Sequence, residues 1–154
     1  MIKNKQNLKR VAVITMARND DFFLTRWIKY YGEQFNSENL YIYLDGLDNN
    51  TPENSDNAHI TKLPHHDMSR SDGDKYRIGL ISDLANKLLK EYDIVIGCDC
   101  DEFLVVDPNT NMTLHEYLSQ KKFNTTLSGI GLDVGQHMKH EKTLNKSKPF
   151  LYLK

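Results

Sequence analysis

Three carboxylates, Asp99, Asp101 and Glu102, stand where an apolar run would ordinarily end. The stretch Asp93–Pro108 reads DIVIGCDCDEFLVVDP. Its first five residues form the short β-branched run of a buried parallel strand. Apolar residues resume at Phe103–Val106, and Asp107-Pro108 stops the element. If the segment is extended throughout, alternation sends Asp99 and Asp101 to one face and Cys98, Cys100 and Glu102 to the other. Two carboxylates about 7 Å apart on a strand, at ~3.3 Å per residue, repel unless a cation sits between them. Oxygen donors suit Mg²⁺ or Mn²⁺ better than zinc, so Asp99 and Asp101 are the candidate metal ligands. The bland alternative is a solvated polar turn; the apolar residues on both sides favour the metal.

Those acids need a scaffold, and the chain supplies one. Leu8–Met16 is an apolar run that breaks into the polar corner Ala17-Arg18-Asn19-Asp20. Phe23, Leu24, Trp27, Ile28, Tyr31 and Phe35 then recur at helical spacing, with Asp20 or Asp21 to cap the helix. Leu40–Leu44 is a second strand ending in Asp45-Gly46-Leu47-Asp48, and residues 48–58 are loop-forming by composition. Ala58–Leu63 is a short third strand, followed by His65-His66-Asp67 and a polar stretch to Asp74. Leu80, Ile81, Leu84, Ala85, Leu88, Leu89 and Tyr92 form the apolar stripe of a long helix that delivers the chain to the acidic segment. The order β-α-β-β-α-β places the acids at the carboxyl end of a parallel strand, where open α/β sheets bind ligands. Thr113–Lys121 is a short helix in which Thr113 and Glu116 make a capping box. Thr125–Val134 reads as a further strand, its glycines marking a bend.

Composition removes several classes of function. With 154 residues, 27% charged and 39% hydrophobic, the chain has the make-up of one ordinary globular domain. A net charge of −1 argues against nucleic-acid binding through bulk charge. Basic residues collect at the two ends (Lys3, Lys5, Lys9 and Arg10; Lys139, Lys142, Lys146, Lys148 and Lys154). They read as solvated tails, with weak peripheral attraction to an anionic membrane as the minor alternative. No run approaches the 18 apolar residues of a membrane span, and the first ten residues lack the apolar core of a signal peptide. Cys98 and Cys100 are too close on one strand face for an ordinary disulfide, so both are expected as free thiols in a reducing, cytoplasmic compartment. Pro149–Lys154 (PFLYLK) resembles the start of an element, so the chain is expected to be the first part of a longer one, incomplete at its C-terminus.

Taken together, Ala17-Arg18-Asn19-Asp20, the Phe23-Leu24-x-x-Trp27 helix, the Leu44-Asp45-Gly46 turn and Asp99-x-Asp101-Glu102-Phe103-Leu104 resemble the family-2-type glycosyltransferases, in particular a bacterial surface-polysaccharide branch with Asp-x-Asp-Glu-Phe. The resemblance covers residues 10–107 well and 108–154 loosely. It implies a GT-A fold: a Rossmann-type, mostly parallel sheet flanked by helices in a single domain, with 8–107 as the nucleotide-sugar-binding half and 108–154 as the start of the acceptor half. It also implies a nucleotide-sugar donor, a saccharide or lipid-linked acceptor, and Mn²⁺ or Mg²⁺. Asp99 and Asp101 match the pair that holds the metal on the donor diphosphate. Asp45 matches an acid that meets the nucleoside, with Asp48 assisting; Arg18 and Asn19 match the loop along base and ribose. Arg77, opening the long helix, matches a basic residue turned towards the donor. Asp133 and Glu141 are the local candidates for the base that deprotonates the acceptor. The second-strand turn departs from the pattern, lacking the serine of Asp-x-Ser-x-Asp.

Three other readings compete. A chain holding only the donor side would bind nucleotide-sugar without transferring it. A haloacid-dehalogenase-type phosphatase also uses Asp-x-Asp, but near its amino terminus and with Thr or Val where this chain has Phe103. A zinc hydrolase would use His137, His140 and Glu141, whose order matches neither zincin pattern. The adjacent His65 and His66 point opposite ways if extended, which argues against a shared metal.

Overall fold

In a computed structural model, the residues described are 8–122, 126–127, 129–135, 137 and 139–142. The terminal lysines outside these ranges and the apolar stretch Pro149–Lys154 lie beyond the described residues. The chain divides into two compact units, 1–120 and 121–154.

The first unit is an α/β fold. Strands β1 (Val11–Ala17), β2 (Leu40–Asp45), β3 (His59–Leu63) and β4 (Ile94–Gly97) form one sheet in the order β3-β2-β1-β4, every pair parallel. Helices α1 (Asp21–Phe35), α2 (Arg70–Leu88) and α3 (Leu114–Gln120) flank it. As the central strand, β1 is covered on both faces, which is why its sequence is apolar without alternation. Ala12 and Ile14 face α2 and pack with Ile81, Leu84, Ala85 and Leu88. Strand β2 alternates between fully and partly buried residues, and edge strand β3 is largely exposed.

Helix α1 begins where the Asp20 carboxylate accepts the Phe23 N–H at 3.3 Å. It buries Leu24, Trp27, Ile28, Tyr31 and Phe35, the stripe expected from their spacing. Helix α3 carries the expected capping box: Thr113 N–H donates to Glu116 Oε2 (2.8 Å) and Glu116 N–H to Thr113 Oγ1 (3.1 Å). His115 Nε2 meets the Lys9 carbonyl (2.7 Å), so α3 seals the sheet at the amino end of β1, leaving the carboxyl ends open.

Three expectations need correction. Helix α2 starts at Arg70, not after Asp74, because Ser69 caps it and accepts the Asp72 N–H at 3.2 Å. Its first two turns are polar and give no apolar period, and Arg77 lies well inside the helix, not at its opening. The segment after β4 is not extended: the chain leaves the ladder at Gly97 and turns. In the second unit, the described residues of the expected 125–134 strand pair with no neighbouring strand. Gly129 and Gly131 make ordering that stretch entropically costly, and no ladder offsets the cost. Around His137 that unit forms a turn in which His140 and Glu141 N–H groups both donate to the His137 carbonyl at 3.0 Å. No helix among the described residues is long and apolar enough to cross a membrane.

Candidate functional site

The strand order reverses between β1 and β4: from β1 the chain builds outward through β2 and β3, then returns to place β4 on the other side. In open α/β sheets the carboxyl ends at such a switch point form the crevice that takes the ligand. The loop leaving β1 is Arg18-Asn19-Asp20 and the loop leaving β4 is Cys98–Glu102. They touch through the Cys100 thiol, 3.8 Å from Asp20 Oδ2.

The β1 corner is built tightly. Asn19 has φ +51°, a left-handed conformation that asparagine adopts more readily than most residues. Its N–H donates to Asn49 Oδ1 (3.0 Å), and Asn49 Nδ2 donates to the Asp45 and Gly46 carbonyls (2.9 and 3.1 Å). The Arg18 guanidinium also donates to the Asp45 carbonyl and lies 3.7 Å from the exposed Asp48 carboxylate. Gly46 sits inside this knot at φ +127°; a Cβ there would come within 2.3 Å of both Arg18 Nη1 and Asp48 Oδ1. Only glycine fits. The Asp45 carboxylate is turned the other way, with His65 Nδ1 at 3.0 and 2.9 Å from its two oxygens.

On the β4 side, Asp99–Glu102 is a turn closed by Glu102 N–H donating to the Asp99 carbonyl (3.0 Å). The Glu102 carboxylate reciprocates, accepting the Asp99 N–H at 3.2 Å. The strand-face argument for pairing Asp99 with Asp101 thus fails, because a turn has no two-residue alternation. What survives is burial: Cys98 and Cys100 point inward as free thiols while Asp101 and Glu102 are exposed. Burial pushes the Cys98 thiol up to about 11 against an opposing hydrogen bond from Trp27 Nε1 (3.3 Å). Burial, with the Asp20 and Asp101 charges, takes Cys100 to about 12. The turn is strapped to α1 by Tyr31 and Tyr30. Tyr31 Oη donates to the Glu102 carbonyl and accepts the Leu104 N–H; Tyr30 Oη donates to the Leu104 carbonyl. Phe103 stacks on the Tyr31 ring at 6.2 Å.

Helix α2 closes the crevice from the other face of the sheet. It approaches β4 so closely that a Cβ on Gly97 would lie 2.9 Å from Ile81 Cγ2. That proximity lets Arg77 donate to Asp99 Oδ1, while its other terminal nitrogen lies 3.6 Å from Asp74. The Asp99 hydrogen bond, with charge from Asp99, Asp74 and Glu102, holds the guanidinium pKa above its ordinary value despite partial burial. Beside Arg77 lies a cleft of about 420 Å³ whose walls include Ala17, Arg18, Asp45, His65, Tyr76 and Arg77. A second hollow of about 350 Å³, including Gly97, Asp99 and Glu102 in its walls, lies across the same arginine.

The fold therefore gathers Arg18, Asn19, Asp45, Asp48 and Arg77 around the carboxyl ends of β1 and β2, and Asp99 and Asp101 at the end of β4. Asp133 and Glu141 belong to the second unit, where the Glu141 carboxylate accepts the His137 N–H of its own turn (2.9 Å). Among the described residues, no three His, Cys, Asp or Glu side chains converge as a metal cage. A hard divalent ion that keeps phosphate oxygens and waters needs only one or two protein carboxylates, and the accessible Asp99 and Asp101 fit that donor set. Sequence reasoning missed Asn49, His65, Asp74 and Tyr31. Of these, only Asn49 carried a local signal, as an asparagine in a Gly-Leu-Asp-Asn turn. In comparisons with known proteins, no family model, curated protein or solved structure matches this chain.

Proposed function

We propose that the carboxyl-end crevice binds a nucleotide-sugar with a divalent ion, and that the chain supplies the donor side of a metal-dependent glycosyltransferase acting on a saccharide or lipid-linked acceptor. The observation that carries this reading is the position of the Asp99–Asp101 turn at the sheet's switch point, with Arg77 between it and the cleft at Asp45. A cleft of about 420 Å³ falls within the range of small-ligand pockets and can take a nucleoside. Asp45 accepts from base or ribose, held in orientation by His65. Arg18 and Asn19 form the wall along it, and Arg77 faces the diphosphate. Asp99 and Asp101 would hold a Mg²⁺ or Mn²⁺ ion, which would supply Lewis-acid neutralisation of the leaving diphosphate. The unbonded, buried thiols accord with a reducing, cytoplasmic setting.

Calorimetry with a panel of nucleoside diphosphates, with and without Mn²⁺, tests the reading. Binding is expected to require the ion and to fall at least tenfold in Asp101→Asn; equal affinity in excess chelator removes the metal. A second reading is donor binding without transfer. Release of nucleoside diphosphate from a sugar donor in the presence of acceptors separates the two.

A further inference from the structure

We propose that Arg77 is a resident counter-ion for Asp99 that transfers to the donor diphosphate on binding, so that divalent ion and diphosphate bind cooperatively through this one side chain. The inference rests on the donor-binding reading and names a coupling within that site. Arg77 donates to Asp99 Oδ1, one of the two carboxylates available to a metal, and its other terminal nitrogen is 3.6 Å from Asp74. Asp74, Asp99 and Glu102 all bear on this guanidinium, so it offsets part of their charge before any ligand arrives. A divalent ion arriving alone meets a cation already on Asp99 and must displace it, costing the arginine its hydrogen-bonded partner.

A diphosphate changes that balance. Arg77 borders both the cleft at Asp45 and the hollow beside Asp99, so a rotation of its side chain carries the charge from one to the other without moving α2. The planar guanidinium pairs with phosphate in a two-point fork at least as well as with a carboxylate. Once Arg77 sits on phosphate, Asp99 is free to hold a divalent ion, whose charge would favour the same diphosphate. Each ligand removes the cost that the other would bear alone, and this coupling is reciprocal. The close approach of α2 to β4 at Gly97 and Ile81 is what brings the arginine within reach of Asp99.

Titration of the whole chain with Mn²⁺ alone, and then in the presence of uridine or guanosine diphosphate, reads the coupling directly. In the wild type the diphosphate is expected to raise Mn²⁺ affinity at least tenfold. In Arg77→Gln, Mn²⁺ alone should bind about fivefold tighter than to wild type, with the coupling reduced below twofold. Arg77→Lys keeps a charge against the acids but lacks the fork. It should leave the affinity for Mn²⁺ alone near that of wild type while reducing the coupling, and it serves if circular dichroism shows the glutamine variant unfolded. Wild-type Mn²⁺ affinity in folded Arg77→Gln, or intact coupling in either folded variant, overturns the inference and leaves the donor-binding reading in place. Failure of the wild type to bind any diphosphate with Mn²⁺ removes both together.

Discussion

The phenol oxygen of Tyr31 lies 3.0 Å from the amide nitrogen of Leu104, tying the middle of α1 to the chain just beyond the acidic turn. The same oxygen donates to the Glu102 carbonyl at 3.2 Å, and the ring is fully buried. Tyr31→Phe keeps the ring and removes two hydrogen bonds to partly exposed backbone groups, so it should destabilise the fold by about 1–2 kcal/mol. Urea unfolding measures that loss. Because the strap also fixes Glu102, which closes the Asp99 turn, the variant should weaken Mn²⁺-dependent diphosphate binding several-fold; unchanged binding would show that the turn holds itself.

The thiols make the protein sensitive to alkali. Burial raises Cys98 from 9.0 to about 11 and Cys100 to about 12, so the fold favours their protonated forms. In the unfolded chain they lose protons near pH 9. Their contribution is therefore full below pH 9 and declines as pH climbs through 11 and 12, by on the order of 2–3 kcal/mol for Cys98. Burial also raises Tyr31 and extends the decline to higher pH. Urea midpoints at pH 8, 9.5 and 11 should fall in that order, and less steeply in a Cys98→Ala, Cys100→Ala double variant. The native thiols should also react slowly with a disulfide reagent at pH 8, and both should titrate after denaturation.

Gly46→Ala places a methyl within 2.3 Å of Arg18 Nη1 and Asp48 Oδ1 at a backbone φ of +127°. The backbone opposes it, at about 1–3 kcal/mol, and the side-chain ends it meets must move aside. Thermal unfolding should report this loss, and displacement of Arg18 from the Asp45 carbonyl should weaken nucleoside diphosphate binding. A variant that melts and binds like wild type would mean that the corner relaxes freely.

Asn49→Ala removes the side chain that accepts from Asn19 N–H and donates to the Asp45 and Gly46 carbonyls. The Asn19 N–H loses its partner, while the Asp45 carbonyl keeps Arg18 and the Gly46 carbonyl keeps the residue-49 N–H, so the change should cost about 1–2 kcal/mol. Asn49→Asp keeps the acceptor and loses both donors, and it should fall between alanine and wild type in chemical denaturation. If aspartate is as damaging as alanine, the Asn19 contact contributes little and the carbonyl bonds dominate.

Local pattern made much of this protein legible. The unbroken apolar run of β1 announced a strand covered on both faces, and the spacing from Leu24 to Phe35 announced the buried stripe of α1. The acids Asp99 and Asp101 stood out between two apolar runs, and the fold puts them just past the end of β4, in a turn that is largely exposed. The polar start of α2 was not legible. Apolar period signals a helix packed on a core, and residues 70–77 instead border a cleft. Nor was the acidic turn, since closing it depends on the Glu102 carboxylate and on straps from Tyr30 and Tyr31 more than 70 positions away. Strand order decided the rest. Setting β4 beside β1 opens the crevice and, with α2 pressed on β4, brings Arg77 onto Asp99, 22 residues on. The short β3 brings His65 to Asp45, 20 residues back. Periodicity along a chain records which side chains are buried; which of them meet is fixed only when strands choose neighbours, a choice made by the sum of packing on both faces of the sheet.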